Sequence, residues 1–278
     1  MQTGIRFHDT ADLPFEKRLE EIHRQGFSCV HIALKKVKDL PDSTEALTPG
    51  YAMYLKHQFE KNHLDVAVLG NYLNLADPDP VKLKEIQAKY TAHLRFASIL
   101  GCSLVGTETG APNADYHYDP EACHSDWALD KLIENLRPVI KDAEKCGVIL
   151  GIEPVYKHIV SSPERARIVL DAIHSPNLQI IFDPVNLLHP DNLEHRKEII
   201  GKAIDLFGKD VAVIHLKDYK VIDNEMKCMA CGLGEMDYTD VLRFAKERKP
   251  FIQATLENTK PDNAVQAREY IERIEESL

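Results

Sequence analysis

Short apolar runs rich in β-branched residues alternate about eight times with longer amphipathic stretches along the 278 residues of the chain. Each apolar run has the length and composition of a strand that is buried on both faces, and the stretches between them show helical spacing. The predicted strands are 4–8, 28–34, 64–69, 102–106, 148–153, 178–183, 211–216 and 251–257.

The stretch 81–100 shows the helical pattern most clearly. Its apolar and aromatic positions recur every three to five residues and predict one buried face, made of Val81, Ile86, Tyr90, Leu94, Ala97 and Leu100. Three short motifs offer an N-cap oxygen followed by proline at the first helical position, and they predict helix starts at Asp79-Pro80, Asp119-Pro120 and Ser162-Pro163.

The regular alternation predicts the fold. Without a composition break or a Gly/Ser linker, it indicates parallel strands joined by crossover helices. Eight such units match a (β/α)8 TIM barrel, for which ~250 residues is typical, so we expect one barrel domain over residues 1–278. A doubly wound open sheet is the alternative, but no G-x-G-x-x-G turn follows the first predicted strand. The polar connection 108–126 is expected to cover the barrel mouth.

Composition narrows the classes of partner. The chain has 34 Lys and Arg against 44 Asp and Glu, and a formal charge of −10 argues against nucleic acid. No segment resembles a secretory signal or a membrane span, and six unclustered cysteines are typical of reduced thiols, so we expect a soluble cytoplasmic protein without a membrane partner. Cys228 and Cys231 form a lone C-x-x-C without a second pair, which favours incidental loop thiols.

Four polar residues stand at or near the ends of otherwise apolar strands: Glu153, Asp183, His215 and Glu257. In a TIM barrel these ends surround the active site. The four residues are each about one βα unit apart, which places them on the fifth to eighth strands, side by side. Three carboxylates and one imidazole would repel one another without a cation, and this donor set suits Mn²⁺, Mg²⁺ or Co²⁺, with Zn²⁺ as an alternative. The other interpretation is ordinary strand-end residues paired with Lys or Arg.

The motifs around these four residues resemble a known family. GIEPV, IFDPVNLL, VIHLKD and LEN are similar to the sugar phosphate isomerase/epimerase superfamily of xylose isomerase-like TIM barrels, which includes ketose 3-epimerases, hydroxypyruvate isomerase, inosose dehydratase and endonuclease IV. The resemblance covers essentially the whole chain, including GFSCVHIAL and CGLGEMDYTDVL. It implies that Glu153, Asp183, His215 and Glu257 hold a divalent metal, with Mn²⁺ favoured, and that Glu153 and Glu257 move a proton beside a substrate carbonyl.

Departures from the family pattern bear on the substrate. Asn186 stands where the family often has a histidine, and His31 stands where glutamate is usual. The arginine that the epimerases carry beyond strand seven is not apparent, so Lys217 is the better candidate for a contact to an enediolate or phosphate. The H-L-K-D form resembles the inosose dehydratases. A solvated strand-end lysine is the alternative interpretation of Lys217.

Three further residues are candidates for substrate binding. Glu108 ends the fourth predicted strand and is expected either to contact a substrate hydroxyl or to form a salt bridge with Arg6 or a lysine. Arg6 and His8 alternate on the first predicted strand and therefore share a face. If that face points inward, both reach the substrate; a packed arginine paired with a carboxylate is the alternative.

The sequence thus predicts a metal-dependent isomerase or epimerase that acts on a ketose or related polyol ketone through an enediolate. Dehydration of an inosose-like cyclitol on the same metal and a non-catalytic sugar-binding barrel are the alternatives. Endonuclease activity is disfavoured because the extra histidines of a trinuclear zinc site are missing and the chain is acidic. The expected partner is a small sugar or cyclitol. The family resemblance also allows for a homo-oligomer.

Overall fold

The computed structural model describes residues 1–278, and eight parallel strands close a barrel with helices between them. Consecutive barrel strands are neighbours, and the last pairs with the first, which confirms the predicted (β/α)8 TIM barrel. The barrel strands are β1 (Gln2–Arg6), β2 (Cys29–Ile32), β3 (Asp65–Gly70), β4 (Leu104–Glu108), β5 (Ile149–Glu153), β6 (Leu178–Phe182), β7 (Val211–Leu216) and β10 (Gln253–Leu256).

Nine helices connect the strands or flank the connections. They are α1 (Phe15–Arg24), α2 (Pro49–Lys61), α3 (Pro80–Leu100), α4 (Pro120–Cys123), α5 (Asp126–Cys146), α6 (Pro163–Ile173), α7 (Arg196–Phe207), α8 (Thr239–Arg248) and α9 (Ala264–Ser277). The three predicted N-caps are confirmed, since Asp79, Asp119 and Ser162 each accept a backbone N–H from the first turn. The predicted buried face of α3 is also confirmed except at Val81, which is exposed because it lies in the first turn, at the helix end.

The barrel interior is filled by side chains, and two strand glycines make room for one of them. A Cβ on Gly106 would lie 2.8 Å from Ile181 and 2.6 Å from Val68, and a Cβ on Gly151 would lie 3.0 Å from Ile181. Both distances to Ile181 are tighter than ordinary packing allows. Gly106 and Gly151 are therefore the positions on β4 and β5 that let the isoleucine of β6 reach the barrel axis.

A two-stranded antiparallel hairpin, β8 (Asp218–Ile222) and β9 (Glu225–Met229), follows β7 and was not predicted. Its two-residue turn, Asp223-Asn224, has φ values of 53° and 60°, as a tight hairpin turn with left-handed central residues requires. The buried carboxylate of Asp218 fixes the chain that returns from the hairpin by accepting four backbone N–H groups, those of Tyr219, Gly232, Gly234 and Met236.

The hairpin corrects the interpretation of the C-x-x-C motif. Cys228 lies on β9 rather than in a loop, and Cys231 is buried just beyond the strand. All six cysteines are free. None of the helices combines the length and the apolar character that a membrane crossing would need.

Candidate metal centre

The four residues predicted to bind a metal lie together at the carboxyl end of the barrel. Glu153 ends β5, Asp183 follows β6, His215 lies on β7 and Glu257 follows β10, and all four are buried. Ligand atoms of Glu153, Asp183 and His215 lie within 4.8 Å of one another, and the same holds for His31, His215 and Glu257. The two groups share His215, so it stands at the centre of the cluster.

The surroundings of His215 fit a divalent cation. Its Nδ1 lies 3.4 Å from Oε2 of Glu153 and 3.3 Å from Oε1 of Glu257. Neither ring nitrogen has a hydrogen-bond partner, although the side chain is fully buried. A buried polar group without a partner costs free energy, and a metal bound at either nitrogen would remove that cost. Carboxylate oxygens around one imidazole are suited to Mn²⁺, Mg²⁺ or Co²⁺, and Zn²⁺ also accepts them.

Glu153 and Glu257 each have one oxygen held by a neighbour and one directed at His215. Asn186 Nδ2 donates to Oε1 of Glu153 at 2.6 Å, and Arg6 Nη1 donates to Oε2 of Glu257 at 2.8 Å. The remaining oxygens are the ones that approach His215. The structure therefore brings Asn186 and Arg6 into the cluster as residues that orient its carboxylates, while their contact with a substrate stays a prediction. For Arg6, the predicted alternative of a packed arginine with a carboxylate partner matches the geometry.

Lys217 follows β7 directly and is 5 % exposed, so it is not a solvated strand-end lysine. Its Nζ lies 2.8 Å from Oδ2 of Asp183 and 3.6 Å from Oε2 of Glu257. The other oxygen of Asp183 accepts the backbone N–H groups of Val185 and Asn186. A buried ammonium group thus stands beside the carboxylates, where it can also stabilise negative charge on a substrate oxygen.

The three carboxylates differ in proton affinity. Burial, reinforced by the charge of Glu257, raises the pKa of Glu153 to about 8. Burial also raises the pKa of Asp183 to about 6, against the opposing effect of Lys217. Burial would raise the pKa of Glu257 as well, but His215 and Lys217 outweigh it and hold this pKa well below its usual range. The environment therefore separates Glu153 from Glu257, the pattern expected of groups with different acid–base roles.

His31 belongs to the site, although the sequence marks it only as a departure from the family pattern. Its ring stacks on that of His215 with centroids 4.9 Å apart, and its Nδ1 lies 3.5 Å from Oε1 of Glu257. Its Nε2 is 2.9 Å from the hydroxyl of Tyr72. Burial lowers the pKa of His31 to about 4, so the neutral imidazole is the form present near neutral pH. A polar residue within the apolar second strand was the signal that could have assigned it.

Glu108 ends β4, as predicted, and pairs in register with Glu153 on β5. Its Oε2 accepts a hydrogen bond from the hydroxyl of Tyr116 at 3.3 Å and lies 3.9 Å from Nδ1 of His158. The alternative of a salt bridge to Arg6 or a lysine is wrong, because only His158 forms an ion-pair contact with Glu108. Burial raises the pKa of Glu108. Tyr116 and His158 come from loops and had no sequence signal.

Glu153 and Glu257 line a cavity of about 320 Å³. Arg6 ends β1 and His8 lies in the turn after it, so the prediction that both lie on one strand face is wrong; β1 ends at Arg6 because the chain then enters a single 3-10 turn. Both residues nevertheless line the cavity. The other residues around it include His31, Tyr72, Glu108, Glu153, Asn186, Lys217 and Glu257.

Comparison with known proteins agrees with this architecture. The model of the family described as xylose isomerase-like TIM barrel matches residues 19–276. No curated protein matches the chain. A D-tagatose 3-epimerase-like protein has a similar structure, with a TM-score of 0.76 at 21% identity over 100% of this chain and 98% of that one.

Two further solved structures are similar. The IOLI protein with a bound zinc atom has a TM-score of 0.75 at 15% identity, over 100% of this chain and 99% of that one. The probable 3-DHS dehydratase AsbF of Bacillus anthracis has a TM-score of 0.73 at 11% identity, over 98% of each chain. At these identities the three likenesses establish the fold alone.

Proposed function

The chain belongs to the xylose isomerase-like TIM barrel family, and from that premise we propose that it is a divalent-metal-dependent isomerase or epimerase. The proposed substrate is a ketose or a related polyol ketone. The main support is the placement of Glu153 and Glu257, whose free oxygens both approach Nδ1 of His215 within 3.4 Å. Because β6 and β7 lie between β5 and β10, the two carboxylates reach the cavity from different parts of its rim.

The two carboxylates divide the proton transfer. One takes the proton from the carbon next to the substrate carbonyl, and the other returns a proton to that carbon or to its neighbour. Asn186 and Arg6 each hold one carboxylate oxygen and so fix the orientation of Glu153 and Glu257 in the cavity. A fixed base needs little reorganisation when the proton moves.

Charge that develops on the substrate oxygens has two sources of stabilisation. Lys217 supplies a buried ammonium group beside Asp183 and Glu257. A divalent cation would be held by Glu153, Asp183, His215 and Glu257. It would act as a Lewis acid that polarises the carbonyl, with Mn²⁺ favoured and Mg²⁺, Co²⁺ and Zn²⁺ as alternatives.

A second candidate function is dehydration of a cyclitol ketone in the same cavity. Loss of a β-hydroxyl needs a proton donor for the leaving group besides the base that takes the first proton. Glu108, with Tyr116 and His158 around it, places such a group on the cavity wall. The H-L-K-D motif that contains Lys217 resembles the inosose dehydratases and also favours this reaction.

The test uses Mn²⁺-loaded protein in D₂O with a panel of ketoses and scyllo-inosose. Isomerisation or epimerisation introduces deuterium at the carbon next to the carbonyl, whereas dehydration produces an enone absorbance. Glu153→Gln and Glu257→Gln are expected to abolish exchange, while the exposed Glu247→Gln serves as the matched control. Full exchange in either site variant contradicts the two-carboxylate mechanism. No reaction across the panel favours the non-catalytic sugar-binding barrel.

The proposed location is the cytoplasm, and the six free thiols support it.

A further inference from the structure

A second cavity adjoins the metal centre. It is a groove of about 350 Å³ between the loop after β5, the loop after β6 and the β8–β9 hairpin. Asn186 lines both the groove and the cavity of the metal centre. Its amide holds Glu153 at 2.6 Å, so the groove begins next to a carboxylate of the reaction centre.

We propose that this groove is a subsite for a second sugar unit, and that the substrate is a ketose glycosylated at a hydroxyl distant from its carbonyl. The inference rests on the proposed function, because that function places the carbonyl end at the metal centre. The two cavities, of about 320 and 350 Å³, share Asn186 as a wall, and each has the size of a site for a small ligand. A free monosaccharide at the metal would leave the groove unused.

The walls of the groove have the mixed character that a sugar ring requires. Tyr156 and His189 form a parallel aromatic pair with centroids 4.5 Å apart, and Asp191 lies 2.8 Å from Nδ1 of His189 and holds its ring. Val155 and Met226 add apolar surface that suits the C–H face of a sugar. Such an aromatic and apolar wall provides contact area for a sugar ring.

Polar residues at the rim can bind hydroxyl groups. The side chains of Lys157 and Asn224 line the groove and can donate hydrogen bonds, and the carboxylate of Glu225 can accept them. Glu225 pairs with Lys227 and accepts through its remaining lone pairs, and a phosphate would meet its carboxylate. A neutral polyhydroxylated ring can bond to all three side chains without charge repulsion.

The hairpin makes one wall of the groove rigid in its backbone. Its five paired positions and its two-residue turn fix β8 and β9 against each other. Met226 and Cys228, two positions apart on β9, line the groove. Lys220 on β8 is exposed and lies outside the groove lining, so Met226 and Lys220 form a matched pair of hairpin positions for mutation.

The experiment is calorimetric titration of the Mn²⁺-loaded protein with D-fructose and with three glucosylated fructoses, maltulose, leucrose and isomaltulose. We expect at least one disaccharide to bind tenfold or more tightly than D-fructose. Met226→Trp fills the groove and should remove this gain without changing the affinity for D-fructose, whereas Lys220→Trp should keep it. Tyr156→Ala tests the opposite wall and should also reduce the gain.

Three results overturn the subsite. They are equal or weaker binding of every disaccharide, a gain that survives both Met226→Trp and Tyr156→Ala, and no binding of any of the four sugars. The proposed function fails separately, because it predicts solvent deuterium in a bound ketose. An affinity gain that depends on Met226, without any exchange, would support the subsite and contradict the isomerase.

Discussion

Arg6 and Glu257 lie 251 positions apart in the chain and form an ion pair where the barrel closes, with Nη1 2.8 Å from Oε2. β1, which ends at Arg6, pairs with β10, which precedes Glu257. Arg6 Nε also donates to Asp9 at 2.8 Å. The contact therefore fixes a carboxylate of the candidate metal centre and links the first and last strands.

Replacement of this arginine should be costly. Arg6→Met leaves the buried Glu257 without its closest cation, and only Lys217, 3.6 Å away, stays beside the same oxygen. We expect the free energy of unfolding to fall by about 2–3 kcal/mol, less than the ~3–5 kcal/mol of a fully uncompensated buried charge. Arg24→Met is the control, since the pair of Arg24 with Glu21 is exposed and should contribute below about 1 kcal/mol. Urea unfolding measures both values. Equal losses in the two variants would show that the closure contact has no special weight.

Metal binding should stabilise the fold. At a free Mn²⁺ concentration of about 100 times Kd, binding to the folded state alone adds about 2.7 kcal/mol, which corresponds to a rise in Tm of about 5–10 °C for a chain of this size. Asp183→Asn and His215→Gln should remove most of that rise, whereas the exposed Glu247→Gln should retain it. Differential scanning fluorimetry with Mn²⁺ and after EDTA treatment measures the rise. An unchanged Tm in the unmodified protein would count against the metal site.

The barrel could be predicted because each strand leaves a separate apolar run between amphipathic helices. The run 211–216 coincides with β7, and the bounds of the other strands differ by a few residues where polar residues extend or end the pairing. The hairpin could not be found in this way, since β9 is mostly exposed and two of its five residues, Glu225 and Lys227, are charged. Its turn residues Asp223 and Asn224, which both tolerate positive φ, were the only local signal.

The candidate site also contains residues that the sequence reveals and residues that it does not. Carboxylates at the ends of buried strands are conspicuous because an unpaired charge there is expensive, so Glu153 and Glu257 stand out in the sequence. His31 carries a weaker signal, because a polar residue in an apolar strand indicates a site residue but a histidine there is also typical of a packed core. Tyr116 and His158 reach Glu108 from two loops, and no periodicity connects loop positions with a strand end.

The effect on stability of replacing a glycine by alanine should depend on the space around that glycine. Gly106→Ala would place a methyl group against Val68 and Ile181, and we expect a loss of about 1–3 kcal/mol from overpacking. Gly201, within α7, has nothing within 4 Å of the position that a Cβ would take, so Gly201→Ala should stabilise the protein by about 0.5–1 kcal/mol. Chemical denaturation of both variants measures whether the free energy of unfolding falls or rises in each. A neutral Gly106→Ala would mean that the barrel interior can yield at Ile181.

His93 should make the fold less stable as the pH is lowered. This side chain on α3 is 2 % exposed, its Nδ1 lies 2.9 Å from the carbonyl of Lys89, and burial lowers its pKa to about 4. Lys89 and Asp42 are the charged groups that act on it. Between pH 6.5 and 4 the unfolded chain binds a proton that the folded protein does not, so the free energy of unfolding decreases as pH falls, by up to about 1.4 kcal/mol per pH unit.

His93→Gln removes this proton uptake and should reduce the slope of the free energy of unfolding against pH by up to about 1.4 kcal/mol per pH unit. The exposed His195→Gln is the control and should leave the slope unchanged. Urea unfolding at several pH values gives the slopes, and an equal slope in His93→Gln and the unmodified protein would mean that His93 does not stay neutral in the folded state.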